Sequence, residues 1–138
     1  MAIILVVDDE VSLLKILVRF LSGLGHSVIS ATNGADALTL LEEGGADLLI
    51  TDVNLPGTDG IEILRTMSRR GNRIPVIAMS GGGTFDKSLL LGSAGLLGAL
   101  ATLEKPFELD TLRQAVEMAL AGSPLPTASL PPRSPSTA

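Results

Sequence analysis

Cysteine, tryptophan and tyrosine are absent from the 138 residues, histidine occurs once, as His26, and phenylalanine only three times. Without thiols there is no disulfide framework, no thiolate zinc site and no cysteine nucleophile. One imidazole excludes a two-histidine metal site. Phe20, Phe85 and Phe107 leave little surface on which bases or sugars could stack. Positive charge is also scarce. Ten Lys and Arg face fifteen Asp and Glu, the net charge is −5 and the pI is near 4.7. A nonspecific grip on nucleic acid needs the opposite sign. No targeting segment is expected: Met1–Val7 is apolar but has no basic residues ahead of it and runs into Asp8-Asp9-Glu10. Ser88–Leu103 is free of charge, yet it is short and broken by Gly92, Gly95 and Gly98, so no membrane insertion is expected. The expected location is the cytoplasm.

What the chain does have is apolar material. Apolar residues make up 46% and the mean hydropathy is +0.45, which rules out disorder of the whole chain. The length is that of one domain. Composition changes at Gly122. Pro124, Pro126, Pro131, Pro132 and Pro135 crowd the last stretch, and Arg133 is its only charge. The expected division is therefore a folded unit over 1–121 and a Pro-rich, disordered or extended tail over 122–138.

Within 1–121 the pattern alternates. Ile3–Val7 is a continuous β-branched run, as in a strand buried on both faces. Val11–Leu24 reads as a helix closed by Gly23 or Gly25. Ser27–Ala31 reads as a strand, Asn33-Gly34 as a turn, and Ala35–Glu43 as a helix ended by Gly44-Gly45. Leu48–Thr51 is a strand. The loop that follows ends at Asp59, placed to cap a helix from Gly60 to about Arg70, with Glu62 three residues on. Pro75–Met79 is a strand. A glycine-rich loop leads to a weak helix over Phe85–Leu97, then a short strand over Ala99–Leu103. Leu109, Leu112, Val116 and Leu120 mark the apolar stripe of a last helix, Leu109–Ala121. Five β–α units of this kind predict an α/β fold, a parallel sheet covered by helices on both faces. Ligands of such sheets bind beyond the carboxyl ends of the strands.

Those ends carry chemistry. Asp8-Asp9 follows the first strand, Asp52 the third, Ser80 the fourth and Glu104-Lys105-Pro106 the fifth. Taken singly, each has a plain explanation. Asp8 and Glu10 could start a helix, Asp52 could serve a turn, and Ser80 could be a loop hydroxyl. Taken together, three carboxylates, a hydroxyl and an ammonium would meet in one crevice. Clustered carboxylates repel one another. A hard divalent cation relieves that, and oxygen ligands suit Mg²⁺.

Four strings, in this order and spacing, resemble the response-regulator receiver domain of two-component signalling. They are Ile4–Glu10, Leu49–Gly60, Pro75–Gly81, and Gly98-Ala99 leading to Lys105-Pro106-Phe107. The resemblance extends over nearly all of 1–121 and leaves out the tail. It implies a doubly wound five-stranded parallel sheet of order 2-1-3-4-5 with five helices, the flavodoxin-like receiver fold. Asp52 resembles the phosphoacceptor, taking a phosphoryl group from a phosphohistidine. Asp9 resembles a direct ligand of Mg²⁺ (or Mn²⁺), Asp8 a water-mediated one, and Asn54 a backbone-carbonyl donor. Asp52 completes that metal set. Ser80 and Lys105 resemble the residues that hold the phosphoryl group. A cis peptide is expected before Pro106, where a tight turn can select it. Thr102 stands where the family usually has an aromatic switch residue.

The implied partners are a sensor histidine kinase or a histidine phosphotransfer protein, and a downstream protein target. The surface from Phe85 to Ala121 would be the output face, toward that target or a second copy. The implied role is a signalling switch, not a turnover enzyme. Three other readings compete. A haloacid-dehalogenase-like phosphatase needs a second aspartate where Asn54 stands. A flavodoxin-like cofactor binder needs a phosphate loop where Asp8-Asp9-Glu10 stands. A receiver serving only as an unphosphorylated interaction module would not need the full set Asp8, Asp9, Asp52, Ser80 and Lys105.

Overall fold

A computed structural model describes residues 2–53, 55, 60–81 and 101–121. In chain order the elements are β1 (Ile3–Val7), α1 (Val11–Gly23), β2 (Ser27–Ala31), α2 (Gly34–Glu43), β3 (Leu48–Asp52), α3 (Gly60–Arg69), β4 (Val76–Gly81), β5 (Ala101–Lys105) and α4 (Leu109–Leu120). The strands form one parallel sheet of order β2-β1-β3-β4-β5, as expected. The expected helix over Phe85–Leu97, Asn54, the Asp59 cap and the 122–138 tail lie outside the described residues. Among the described residues, no helix is long and apolar enough to cross a membrane.

Alternation along the strands splits the core into two layers. Leu5, Val7, Leu49 and Ala78 point to one face and pack on Leu41 of α2 and on Ile63, Leu64 and Met67 of α3. Ile4, Val6, Leu48, Ile50, Ile77, Met79 and Leu103 point to the other and pack on Leu14, Leu17 and Leu21 of α1 and on Leu112, Val116 and Ala119 of α4. Each fully buried branched side chain contributes about 1.5–3 kcal/mol. Aliphatic side chains supply nearly the whole of both layers, which is how the chain folds with so few aromatics. Edge strand β2 buries less, and Ile29 at its centre is exposed.

Several boundaries differ from the sequence reading. Asn33 is not only a turn residue: its Oδ1 accepts from the Asp36 N–H at 2.8 Å, and α2 starts one residue early, at Gly34. Helix α1 ends at Gly23, and Gly25 takes a φ of 100° to turn the chain toward β2. The buried stripe of α4 is Leu112, Val116 and Ala119, whereas Leu109 is exposed. Strand β3 extends to Asp52. Strand β4 starts at Val76 rather than Pro75, which lacks an N–H for the ladder, and extends to Gly81. Strand β5, Ala101–Lys105, runs two residues past the end that the apolar run suggested. The cause is pairing: β4 carries β5 along in register through Ser80↔Glu104 and Gly81↔Lys105.

Candidate functional site

The parallel register brings the ends of β1, β3, β4 and β5 to one edge. Asp8 follows β1 directly, and its N–H donates to the Ala31 carbonyl at 3.1 Å, so the backbone beyond β1 is still tied to β2. Asp52 closes β3 opposite Met79, and the Val53 N–H donates to the Met79 carbonyl at 2.9 Å. Ser80 and Lys105 lie one pair apart on β4 and β5. Asp52, Ser80 and Lys105 are carried by strand backbone, and Asp8 by the first residue beyond a strand.

Lys105 is the centre of the arrangement. Its Nζ donates to Asp8 Oδ2 at 2.8 Å and to Asp52 Oδ2 at 2.7 Å. Asp8 is fully buried, Asp52 and Ser80 are nearly so, and Asp9 is exposed. Asp8 Oδ1 accepts from the Glu10 N–H at 2.9 Å. Burial pushes the Asp8 carboxyl above its ordinary pKa. The Lys105 hydrogen bond, the Glu10 N–H and the Lys105 charge resist this without cancelling it. Burial also works against the Lys105 ammonium, but hydrogen bonds to Asp52 and Asp8, with their charges, outweigh it and raise its pKa. The lysine therefore stays charged at any physiological pH.

Carboxylate oxygens of Asp8, Asp9 and Asp52 all lie within 4.8 Å of one another. An all-oxygen donor set of this charge fits a hard cation such as Mg²⁺ and does not fit a soft one. Two carboxylates are buried and one is open to solvent, which gives a hydrated ion a route in. Ser80 Oγ is buried and has no hydrogen-bond partner among the described residues. A buried hydroxyl of that kind costs stability unless an acceptor arrives.

The structure thus brings together Asp8, Asp9, Asp52, Ser80 and Lys105, all singled out from the sequence. The Lys105–Pro106 peptide is cis, as expected. Thr102 is half-buried on β5 opposite Ala78. Asn54 lies outside the described residues. One participant was read only as a helix-start residue. Glu10 occupies the N-cap position of α1, yet its side chain makes no capping bond, and Oε1 lies 4.0 Å from Lys105 Nζ. Nothing in the local sequence separates a capping glutamate from one turned toward a lysine 95 residues away.

Comparison with known proteins agrees with this geometry. Residues 4–117 match the family described as the response regulator receiver domain. The sporulation initiation phosphotransferase F of Bacillus subtilis is 36% identical over 114 residues, which cover 83% of this chain and 90% of that protein. The DNA-binding transcriptional regulator NtrC of Escherichia coli is 36% identical over 118 residues, 86% of this chain but only 24% of NtrC. Among solved structures, a response regulator receiver domain protein of Clostridium thermocellum superposes with a TM-score of 0.79 at 30% identity, over 88% of this chain and 96% of that one. The receiver domain of NtrX from Brucella abortus gives 0.77 at 34%, over 87% of this chain and 99% of that one.

Proposed function

Since the chain belongs to the response regulator receiver domain family, we propose that it accepts a phosphoryl group on Asp52 from a phosphohistidine, and that this switches a protein contact. The family is one of signalling modules, not turnover enzymes. The observation that carries the reading is one ammonium, Lys105, hydrogen-bonded to two buried carboxylates, with a buried hydroxyl, Ser80, that has no hydrogen-bond partner among the described residues.

The step is a transfer from nitrogen to oxygen. An Asp52 carboxylate oxygen forms the new O–P bond as the histidine N–P bond breaks, and the imidazole leaves with the electron pair. Such a reaction needs positioning and charge neutralisation more than covalent help. Lys105 leaves Asp52 and pairs with the phosphoryl oxygens, while Asp8 keeps the ammonium at the site. Ser80 donates its hydroxyl to another phosphoryl oxygen. Asp8, Asp9 and Asp52 would hold Mg²⁺ or Mn²⁺, with the Asn54 carbonyl as a further donor; when bound, the ion supplies positive charge against the phosphoryl oxygens. Donor partners of this chemistry are a sensor histidine kinase or a histidine phosphotransfer protein, acting in the cytoplasm. A relative whose name is that of a phosphotransferase supports phosphoryl handling. The output would pass to a protein target through the face that includes β5 and α4.

Intact mass after incubation with acetyl phosphate tests this. Wild type should gain one phosphoryl group with Mg²⁺ and none with EDTA, and Asp52→Asn should gain none. Full labelling of Asp52→Asn would overturn the assignment. An unlabelled wild type would favour a receiver that acts only as an interaction module.

A further inference from the structure

We propose that Glu10 is a positioning residue that competes for the Lys105 ammonium and so sets how readily Asp52 takes a phosphoryl group; this rests on the phosphoacceptor reading. A lysine has three N–H donors. Two of those of Lys105 are committed to Asp8 and Asp52 at 2.8 and 2.7 Å. Glu10 Oε1 lies 4.0 Å from the same nitrogen, on the solvent side, with its side chain 59% exposed. The buried carboxylates thus hold the ammonium from inside and Glu10 draws it toward the mouth.

The Glu10 side chain has no other assigned work. It stands at the N-cap of α1 but makes no capping bond, and among the described residues Lys105 is its partner. The contact that orients Asp8 comes from the Glu10 backbone N–H, which any residue but proline would supply. A change of the side chain therefore alters charge at the mouth while leaving the Asp8 hydrogen bond in place.

Two effects follow, with the same sign. An anionic phosphodonor approaching Asp52 meets the Glu10 carboxylate and is repelled. Lys105 must also exchange Asp52 for the phosphoryl oxygens, and Glu10 competes for it during that exchange. Both effects are electrostatic and partly exposed, so salt screens them. Couplings of this kind correspond to about a 2- to 5-fold change in rate.

The test uses the full chain with saturating Mg²⁺ and a graded series of acetyl phosphate concentrations. In the reaction followed, an Asp52 oxygen forms the new O–P bond as the donor's acyl O–P bond breaks and acetate leaves with the electron pair. Glu10→Gln should react about 2- to 5-fold faster in kcat/KM at low ionic strength, with a lower KM from relieved repulsion and a higher maximal rate from the freer Lys105. The difference should close near about 0.5 M salt. Glu10→Asp, which keeps the charge, should stay near wild type. A helix-start role alone would shift stability and leave this salt-sensitive rate effect absent. Glu10→Gln equal to or slower than wild type, or faster by a margin that salt does not change, overturns the role of Glu10 alone. A wild type that takes no phosphoryl group overturns the phosphoacceptor reading, and this inference with it.

Discussion

Lys105 Nζ lies 2.7 Å from Asp52 Oδ2, and the same ammonium lies 2.8 Å from Asp8 Oδ2, so one cation neutralises two carboxylates brought by different strands. Without it, β1 and β3 would end in two negative charges held apart from water. Removing one partner of a buried ionic set costs more than the set itself contributes, because the remaining charge is stranded.

Lys105→Met should therefore lower stability by about 2 kcal/mol, less than for a fully buried partner because the Lys105 side chain is 16% exposed. Urea unfolding with and without Mg²⁺ measures it. The cation should recover more stability in the variant than in wild type, since it replaces the missing charge. Equal stabilisation of both proteins would show that lysine and metal do not neutralise the same carboxylates.

The Asp8 carboxyl is raised above its ordinary pKa, first by burial. The folded chain thus holds a proton that the unfolded chain has already released, over the window from the ordinary aspartate value up to the raised one. Where the native state binds more protons, stability falls as pH rises. In EDTA, Asp8→Asn should remove that fall. At pH 7 it should be more stable than wild type, because burial outweighs the Lys105 bond at Asp8 and the ammonium keeps Asp52 as a partner. Urea melts over a pH series check this through the difference between the two proteins. A less stable Asp8→Asn at neutral pH would mean that the Lys105 hydrogen bond outweighs the burial.

Ser80 Oγ is buried with no partner among the described residues. Ser80→Ala should fold at least as stably as wild type, because it removes an unsatisfied hydroxyl. Phosphorylation of Asp52 should slow by about tenfold, the value of one hydrogen bond to a charged acceptor. Thermal unfolding and phosphodonor kinetics on the same samples separate the two effects. A clear loss of stability would place the hydroxyl in a structural role instead.

Asp8 and Asp52 were legible because each stands at the end of a strand that announces itself. Ile3–Val7 and Leu48–Thr51 are continuous apolar runs, and their ends fix Asp8 and Asp52 in space once the sheet is parallel. The end of β5 was harder. Its local pattern ends the strand at Leu103, whereas pairing with Ser80 and Gly81 carries it to Lys105. Register belongs to the partner strand and leaves no mark in the segment itself. Leu109 shows the same limit on a helix: its spacing fits the apolar stripe of α4, yet it lies in the first turn and is exposed. The direction of the Glu10 side chain depends on a residue at the far end of the chain, so no local pattern encodes it.

Asp9 differs from Asp8 in every physical respect except its chemistry. Asp8 is buried, with Oδ1 taken by the Glu10 N–H and Oδ2 by Lys105. Asp9 is exposed, and among the described residues it carries no ion pair. Its carboxylate oxygens nevertheless come within 4.8 Å of those of Asp8 and Asp52. A hydrated cation reaches Asp9 first and without breaking an existing bond, whereas at Asp8 it must compete with an ammonium. Asp9→Asn should therefore weaken Mg²⁺ binding more than Asp8→Asn does, by about tenfold or more for loss of a direct carboxylate ligand. It should leave stability in EDTA within about 0.5 kcal/mol of wild type, as for an exposed substitution. Calorimetric titration with Mg²⁺, set beside urea unfolding in EDTA, measures both quantities. If Asp8→Asn proves the more damaging to metal binding, the buried carboxylate is the direct ligand, and Lys105 must move away from it when the ion enters.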